Sequence, residues 1–181
     1  MNLKNKNKIR IVIGSLNVGG TEKQLLNIVN YLAKKSWKIE LITLKERGIL
    51  AKYLNKEIKT NNLNIKKSFN FISFFKIIHK LFKIFKKDPF TLTHFFLPQA
   101  YILGMISSII ANSKCKLIMS RRSLNFYQNK IIFCRIVEKF LHKKVDKILV
   151  NSKAIKKQLI NHENVSKDRI CLLYTSPSPR D

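Results

Sequence analysis

The sequence predicts one α/β domain, a parallel sheet with helices on both faces. Three observations predict it. Short β-branched runs alternate with amphipathic stretches along the chain. The first run ends in a glycine-bearing loop ahead of a helical pattern. At 181 residues the chain is long enough for one well-buried domain and too short for two of ordinary size.

The elements follow in order. Lys8 to Gly14 (KIRIVIG) is a β-branched run ending in glycine, the pattern of a buried strand. After the loop Leu16–Gly20, Thr21 can cap a helix whose apolar residues Leu25, Ile28, Val29 and Leu32 recur at helical spacing. Lys38 to Leu44 reads as a second strand, Gly48 to Lys59 as a loop with a short helix, and Leu63 to Ile65 as a short third strand. Phe71 to Lys87 reads as a helix with Phe71, Phe74, Phe75, Ile78, Leu81, Phe82 and Phe85 on one face, stopped by Asp88-Pro89. Phe90 to Phe96 is strand-like and leads to a helix that Pro98 can begin. Lys116 to Ser120 is a strand, Lys130 to His142 a helix and Lys147 to Val150 a strand. Ser152 then caps a helix over Lys153 to Ile160. The sum is a Rossmann-like α/β fold.

Bulk chemistry narrows the partners. The net charge is +26, which favours anionic surfaces or phosphorylated substrates. The abundance of Lys, Asn and Ile, residues of AT-rich codons, accounts for the same excess by a different route. Cys115, Cys134 and Cys171 have neither paired nor CxxC spacing, so no disulfide framework or zinc site is expected and a cytoplasmic setting fits. The basic start lacks a cleavage site, and the longest apolar stretch, Phe95 to Ala111, is interrupted by Pro98, Gln99 and Ser107-Ser108. A cytoplasmic protein, at most peripheral on a membrane, is expected. The phenylalanines follow a helical period, so no stacking platform for nucleic acid is expected.

The last segment, Cys171 to Asp181, has no Lys, Asn or Ile and carries Pro177 and Pro179. It also matches residue for residue a translation of a transposon end and adapter used in sequencing libraries. The expectation is a domain over 1–170 and a non-native tail over 171–181.

In parallel α/β sheets ligands gather at the carboxyl ends of the strands. The loop after the first strand, Gly14-Ser15-Leu16-Asn17-Val18-Gly19-Gly20-Thr21-Glu22, is not GxGxxG. Gly20 stands where a P-loop needs lysine. A paired glycine at a helix amino-terminus suits an anion; a tight turn needing positive φ would require the same residues. His94, at a later strand end, could donate to a sugar hydroxyl or phosphate, or simply pack. Arg121 and Arg122 follow another strand, where guanidinium groups suit phosphate or carboxylate, and a solvated charge pair is the plainer alternative. Ser152 reads as an N-cap. His79, His142 and His162 give no metal spacing. Lysines opposite the apolar face of 71–87 fit an interfacial helix on anionic lipid or the outer side of a core helix.

Taken together, Ile11-Val12-Ile13, Gly19-Gly20-Thr21-Glu22, Gln24-Leu25-Leu26-Asn27, Thr93-His94, Ser120-Arg121-Arg122-Ser123 and Asp146 to Ser152 resemble, in order and spacing, the amino-terminal domain of retaining family-4 glycosyltransferases. Ser36-Trp37 departs from the Gly-His usual in the family, and Asp88-Pro89 reverses its Pro-Asp order. The resemblance implies the amino-terminal, acceptor-side half of a GT-B fold with the donor-binding carboxy-terminal domain absent. It implies a nucleotide-diphosphate sugar as donor, a glycan or lipid-linked acceptor, retention of configuration and no further cofactor. It assigns Gly19 and Gly20 to the donor-diphosphate and acceptor cleft and His94 to the side of the transferred sugar, with Thr21 and Glu22 as further substrate-binding candidates. Arg121 and Arg122 join them as substrate-binding candidates on charge and position. Such a fragment alone is expected to be inactive. Two rivals are a non-enzymatic basic module on anionic membrane, which predicts an exposed Phe face on 71–87, and another nucleotide-binding class such as a sugar epimerase.

Overall fold

A computed structural model describes residues 7–65, 71–87, 92–124 and 132–173, with the side chains of Phe71 and 132–134 outside the description. Seven parallel strands, β1 (Lys8–Ile13), β2 (Lys38–Thr43), β3 (Lys59–Asn62), β4 (Leu92–Phe96), β5 (Leu117–Arg121), β6 (Lys147–Val150) and β7 (Ile170–Leu172), lie in the order β3-β2-β1-β4-β5-β6-β7. The helices are α1 (Gly20–Lys34), α2 (Phe71–Lys87), α3 (Pro98–Ile110), α4 (Ile132–His142) and α5 (Lys153–Glu163).

Alternation along the strands sorts the core into two layers. Ile9, Ile11 and Ile13 of β1 meet Leu25, Val29 and Ala33 of α1 on one face. Val12, Ile42, Phe95, Met119, Ile148 and Ile170 meet α2, α3, Leu141 of α4 and the apolar side of α5 on the other. α3 carries buried residues round most of its surface, Ala100, Tyr101, Leu103, Gly104, Met105, Ser107 and Ser108, because α2 flanks it and β4 lies beneath. Gly104 sits where a Cβ would run into the Phe95 ring, so the glycine sets how closely this helix approaches the sheet.

Three expectations need correction. Thr21 is not the cap of α1; Gly19 is, in an extended conformation, and no side chain caps the helix. The third strand is Lys59–Asn62 rather than Leu63 to Ile65. An edge strand has one neighbour and needs no apolar run, so the apolar signal instead marks the crossing just beyond it, where Leu63 is buried. The inward face of α2 is centred on Ile77, Leu81 and Phe85, with Phe74, Ile78 and Phe82 half-buried, while Ile72 and Phe75 are exposed. Most of the phenylalanine face is therefore core, against the exposed face that a free-standing membrane module predicts. Ser152 caps α5 as expected, accepting from the Ile155 amide at 3.2 Å. The Asp88-Pro89 stop and the starts at Phe90 and Lys130 lie outside the described residues.

The boundary after Ile170 falls inside β7: Cys171 and Leu172 pair with Leu149 and Val150, and the Leu173 amide donates to the Val150 carbonyl at 2.8 Å. Backbone pairing of this kind is open to any residue bearing an N–H, so it does not bear on where these residues come from.

Gly48 (φ 83°) closes the β1–α1 loop from outside, with Leu50 N donating to Leu16 O at 2.9 Å. A Cβ there would collide with the Leu16 carbonyl. Gly48→Ala is expected to lower stability by about 2 kcal/mol, the combined cost of backbone strain and displaced loop. Urea unfolding reads it, and an unchanged midpoint would contradict this role for the turn.

Candidate functional site

The strand order reverses direction between β1 and β4, since β2 and β3 extend one way and β5 to β7 the other. A crevice forms at such a switch point beyond the carboxyl ends of the strands. On one side the β1–α1 loop delivers Gly19 and Gly20 to the start of α1. Gly19 accepts from Lys23 N at 3.0 Å, the first bond of the helix. The Glu22 carboxylate folds back over Gly19 and covers the helix end. The amides of the first turn and the helix dipole favour an anion here, and Glu22 stands where that anion would arrive. Thr21 and Glu22 are half-buried in the same turn.

On the other side of the crevice is β4. His94 occupies its third position rather than its end, and its side chain lies on the α1 face with Phe96, ring centroids 4.2 Å apart. Its Nε2 is 2.8 Å from Ser120 Oγ of β5. Burial, and then the nearby Arg122 charge, hold the imidazole at a pKa of about 3, far below its ordinary value. His94 is therefore neutral near pH 7 and acts as a hydrogen-bonding group rather than as a cation. Beyond it, Leu97 holds φ 71° ahead of Pro98, a conformation unusual for a side chain of its kind. This is the one abrupt bend between β4 and α3.

Arg122 closes the crevice from the β5 side. It reaches over to α1 and donates from Nη1 to Gln24 Oε1, tying together residues far apart in sequence. Its Nε is buried with no hydrogen-bond partner among the described residues, and burial lowers its pKa. A guanidinium stays charged even so. The structure thus gathers Gly19, Gly20, Thr21, Glu22, His94 and Arg122 at one end of the sheet. It adds Gln24 and Ser120, which sequence reasoning noted in the motifs without assigning them a role.

Arg121 does not join them, which corrects its reading as a substrate-binding residue. Successive strand residues face opposite sides, so Arg121 as the last residue of β5 points with Leu117 and Met119 into the other layer. There it is 2% exposed. Nη1 lies 3.4 Å from Glu138 Oε2 and Nη2 3.2 Å from Glu163 Oε1, while Nε donates to the Ser123 carbonyl. Glu163 Oε2 also meets His142 Nε2 at 2.8 Å, and His142 Nδ1 meets Tyr101 Oη at 2.8 Å. Glu138, His142 and Glu163 bring ligand atoms within 4.8 Å of one another, the makings of a metal site. Arg121 fills the cation position among them, so this donor set fits its own guanidinium better than an added ion. His142 is thus a core histidine, which its lysine-rich sequence neighbourhood conceals.

A parallel sheet of this order with a crevice at the β1/β4 switch point, bordered by a glycine-capped helix, a neutral histidine and a half-buried arginine, defines a GT-B-type Rossmann-like domain. The sequence model of Glycosyltransferase Family 4 matches residues 18–176, and the chain belongs to that family. No curated protein sequence matches it. Among solved structures it is similar to the lipopolysaccharide outer core galactosyltransferase WaaB in its apo form (TM-score 0.69, 16% identity, 94% of this chain and 46% of that one). It is similar too to Alr3699/HepE from Anabaena in complex with UDP (TM-score 0.70, 16% identity, 96% and 47%). The UDP-N-acetylglucosamine 2-epimerase of Rickettsia bellii shares the fold as well (TM-score 0.66, 14% identity, 90% and 43%). The chain spans about half the length of these proteins.

Proposed function

We propose that this chain forms the acceptor-side half of a glycosyltransferase that moves a hexosyl group from a nucleotide-diphosphate sugar to a glycan or lipid-linked acceptor with retention. The observation that carries the reading is Arg122. A half-buried arginine whose Nε is buried and has no partner among the described residues, with Nη1 bonded to the neutral amide of Gln24, stands at the switch-point crevice beside a helix amino-terminus that no side chain caps by a hydrogen bond. An anionic ligand could take both the arginine and the helix amides by displacing Gln24 from the one and Glu22 from the other. Charge developing on a departing diphosphate is stabilised by preorganised groups of this kind. His94, neutral and oriented by Ser120, would hydrogen-bond a sugar hydroxyl beside it. Support for a nucleotide-sugar donor also comes from the Anabaena neighbour, whose structure holds UDP.

The reading includes a donor-binding second half, a non-native origin for 171–181, and no catalysis by this chain alone. No helix among the described residues is long and apolar enough to cross a membrane. A peripheral contact with anionic lipid is part of the proposal, supported by the +26 charge and the exposed Ile72 and Phe75 of α2. The epimerase reading has only a shared fold behind it and gives way to the family match.

The test is transfer activity. The chain alone should release no nucleoside diphosphate from a panel of nucleotide sugars, whereas the gene product carrying both halves should. In the latter, Arg122→Ala is expected to lower kcat/KM by about two to three orders of magnitude. An unchanged kcat/KM would remove Arg122 from the site, and inactivity of the two-half protein on every donor would count against the transferase.

A further inference from the structure

At the opposite end of the sheet, where the strands begin, a groove of about 840 Å³ runs between the edge strand β3 and the carboxyl end of α2. We propose that this groove binds an anion carrying two or more linked phosphate groups. The proposal is independent of the transferase reading, since the groove lies away from the switch-point crevice.

The geometry is set by register. Lys8 is the Cα partner of Lys38, Arg10 of Glu40, and Glu40 of Lys59. All of these side chains line the groove on the sheet face that α2 covers, and Lys83 and Lys87 of α2 enter from above. The floor is internally neutral. Arg10, 1% exposed, donates to Glu40 Oε2 at 2.9 Å with its guanidinium 5.3 Å from the centre of the Phe85 ring. Glu40 is thus engaged by Arg10, and Glu57 is the one other acid in the lining. Among the described residues Lys38, Lys59, Lys83 and Lys87 take part in no ion pair.

Two like-charge pairings meet in this one place. Lysines directly opposite on neighbouring strands, as Lys8 and Lys38 are, repel, and so do lysines four apart on a helix, as Lys83 and Lys87 are. Each pairing is mildly unfavourable. Lys153 and Lys157 on the outer side of α5 are also four apart, but they are exposed on a helix surface, whereas the groove sets a helical pair over a cross-strand pair. Convergence on a concave surface calls for a multivalent anion. Lysine ammoniums are point charges on flexible stems, suited to phosphate oxygens at varied positions rather than to one planar carboxylate. The volume exceeds what a single phosphate fills, and the lining has no exposed aromatic ring on which a base would stack. Linked phosphates could come from a soluble phosphoanhydride or from a lipid headgroup.

The test is titration calorimetry of the full chain with tripolyphosphate at low salt, repeated at high salt. The wild type is expected to bind in a salt-sensitive manner, and the double variant Lys59→Glu/Lys83→Glu to lose about tenfold or more in affinity. Lys153→Glu/Lys157→Glu, which changes the net charge equally, is expected to lose less than about twofold. Both pairs are exposed, and matching thermal melts would show that both variants fold. Equal losses in the two variants would overturn the proposal in favour of diffuse charge. A parallel flotation assay uses phosphatidylcholine vesicles doped with diacylglycerol pyrophosphate, whose headgroup carries two linked phosphates. Groove-dependent capture by vesicles without tripolyphosphate binding identifies the headgroup as the phosphate source, and failure with both probes overturns the site.

Discussion

Arg121→Ala is expected to lower stability by about 3–5 kcal/mol, enough to unfold a domain of ordinary stability. The residue is 2% exposed and stands between the Glu138 and Glu163 carboxylates, themselves buried. Removing the cation leaves two carboxylates in a low dielectric, one of them facing His142. They must then repel, take up protons or draw in water, and each course is costly. The effect also reaches across elements, because Glu138 belongs to α4, Glu163 to α5 and Arg121 to β5. Urea unfolding monitored by circular dichroism reads the loss. The triple change Arg121→Met/Glu138→Gln/Glu163→Gln removes the charges while keeping most of the volume. It is expected to recover much of the stability, as replacement of whole buried ion clusters can do. If the triple variant is no more stable than Arg121→Ala, packing rather than charge carries the cost. A loss below about 1 kcal/mol would mean that the carboxylates are relieved by water.

The sequence revealed the sheet because its strands are β-branched and bounded by glycine or charged turns, and the helices because their apolar residues repeat at helical spacing. Among the described residues the misses were local. The edge strand Lys59–Asn62 has no apolar signature, since one of its sides pairs with nothing. The phase of α2 was off by part of a turn: phenylalanine is frequent all round that helix, and only tertiary contact decides that Ile77 goes in and Phe75 stays out. Within the site, the glycine loop and Arg122 are legible as residues that follow a strand, whereas His94 lies two residues before the end of one. Arg121 was misread although the signal against it was present. It continues the period-two series Leu117, Met119, Arg121 and so belongs to the layer opposite Ser120, while Arg122 lies just beyond the strand. Its partners were not legible, because Glu138, His142 and Glu163 sit among lysines on helices whose faces only the packing defines. Gln24 could be assigned no role for a similar reason, since its bond to Arg122 joins elements that only the sheet order brings together.

The second large effect concerns acid. His94 has a pKa of about 3 in the folded chain, first because it is desolvated and then because Arg122 is near. In the unfolded chain an imidazole titrates near its ordinary value of about 6.5. Between those two values the unfolded state binds a proton that the folded state refuses, so acid favours unfolding. The contribution is fully present above about pH 6.5 and is lost as the pH falls towards 3, at up to about 1.4 kcal/mol per pH unit. His94→Gln keeps a neutral group able to bond Ser120 but has no such proton to refuse. The denaturation midpoint of the wild type is therefore expected to fall more steeply than that of His94→Gln between pH 6.5 and 4.5, a window largely above ordinary carboxylate titration. Parallel curves for the two proteins would show that His94 titrates normally and that the crevice is wetter than its geometry implies. Arg122→Gln tests the cause: with the charge removed, burial alone remains, and the His94 pKa should rise part of the way back. If that variant leaves the His94 titration unmoved, measured from its ring proton shifts, the arginine is too far or too screened to be felt. It would then be a poor candidate for holding a diphosphate beside that histidine.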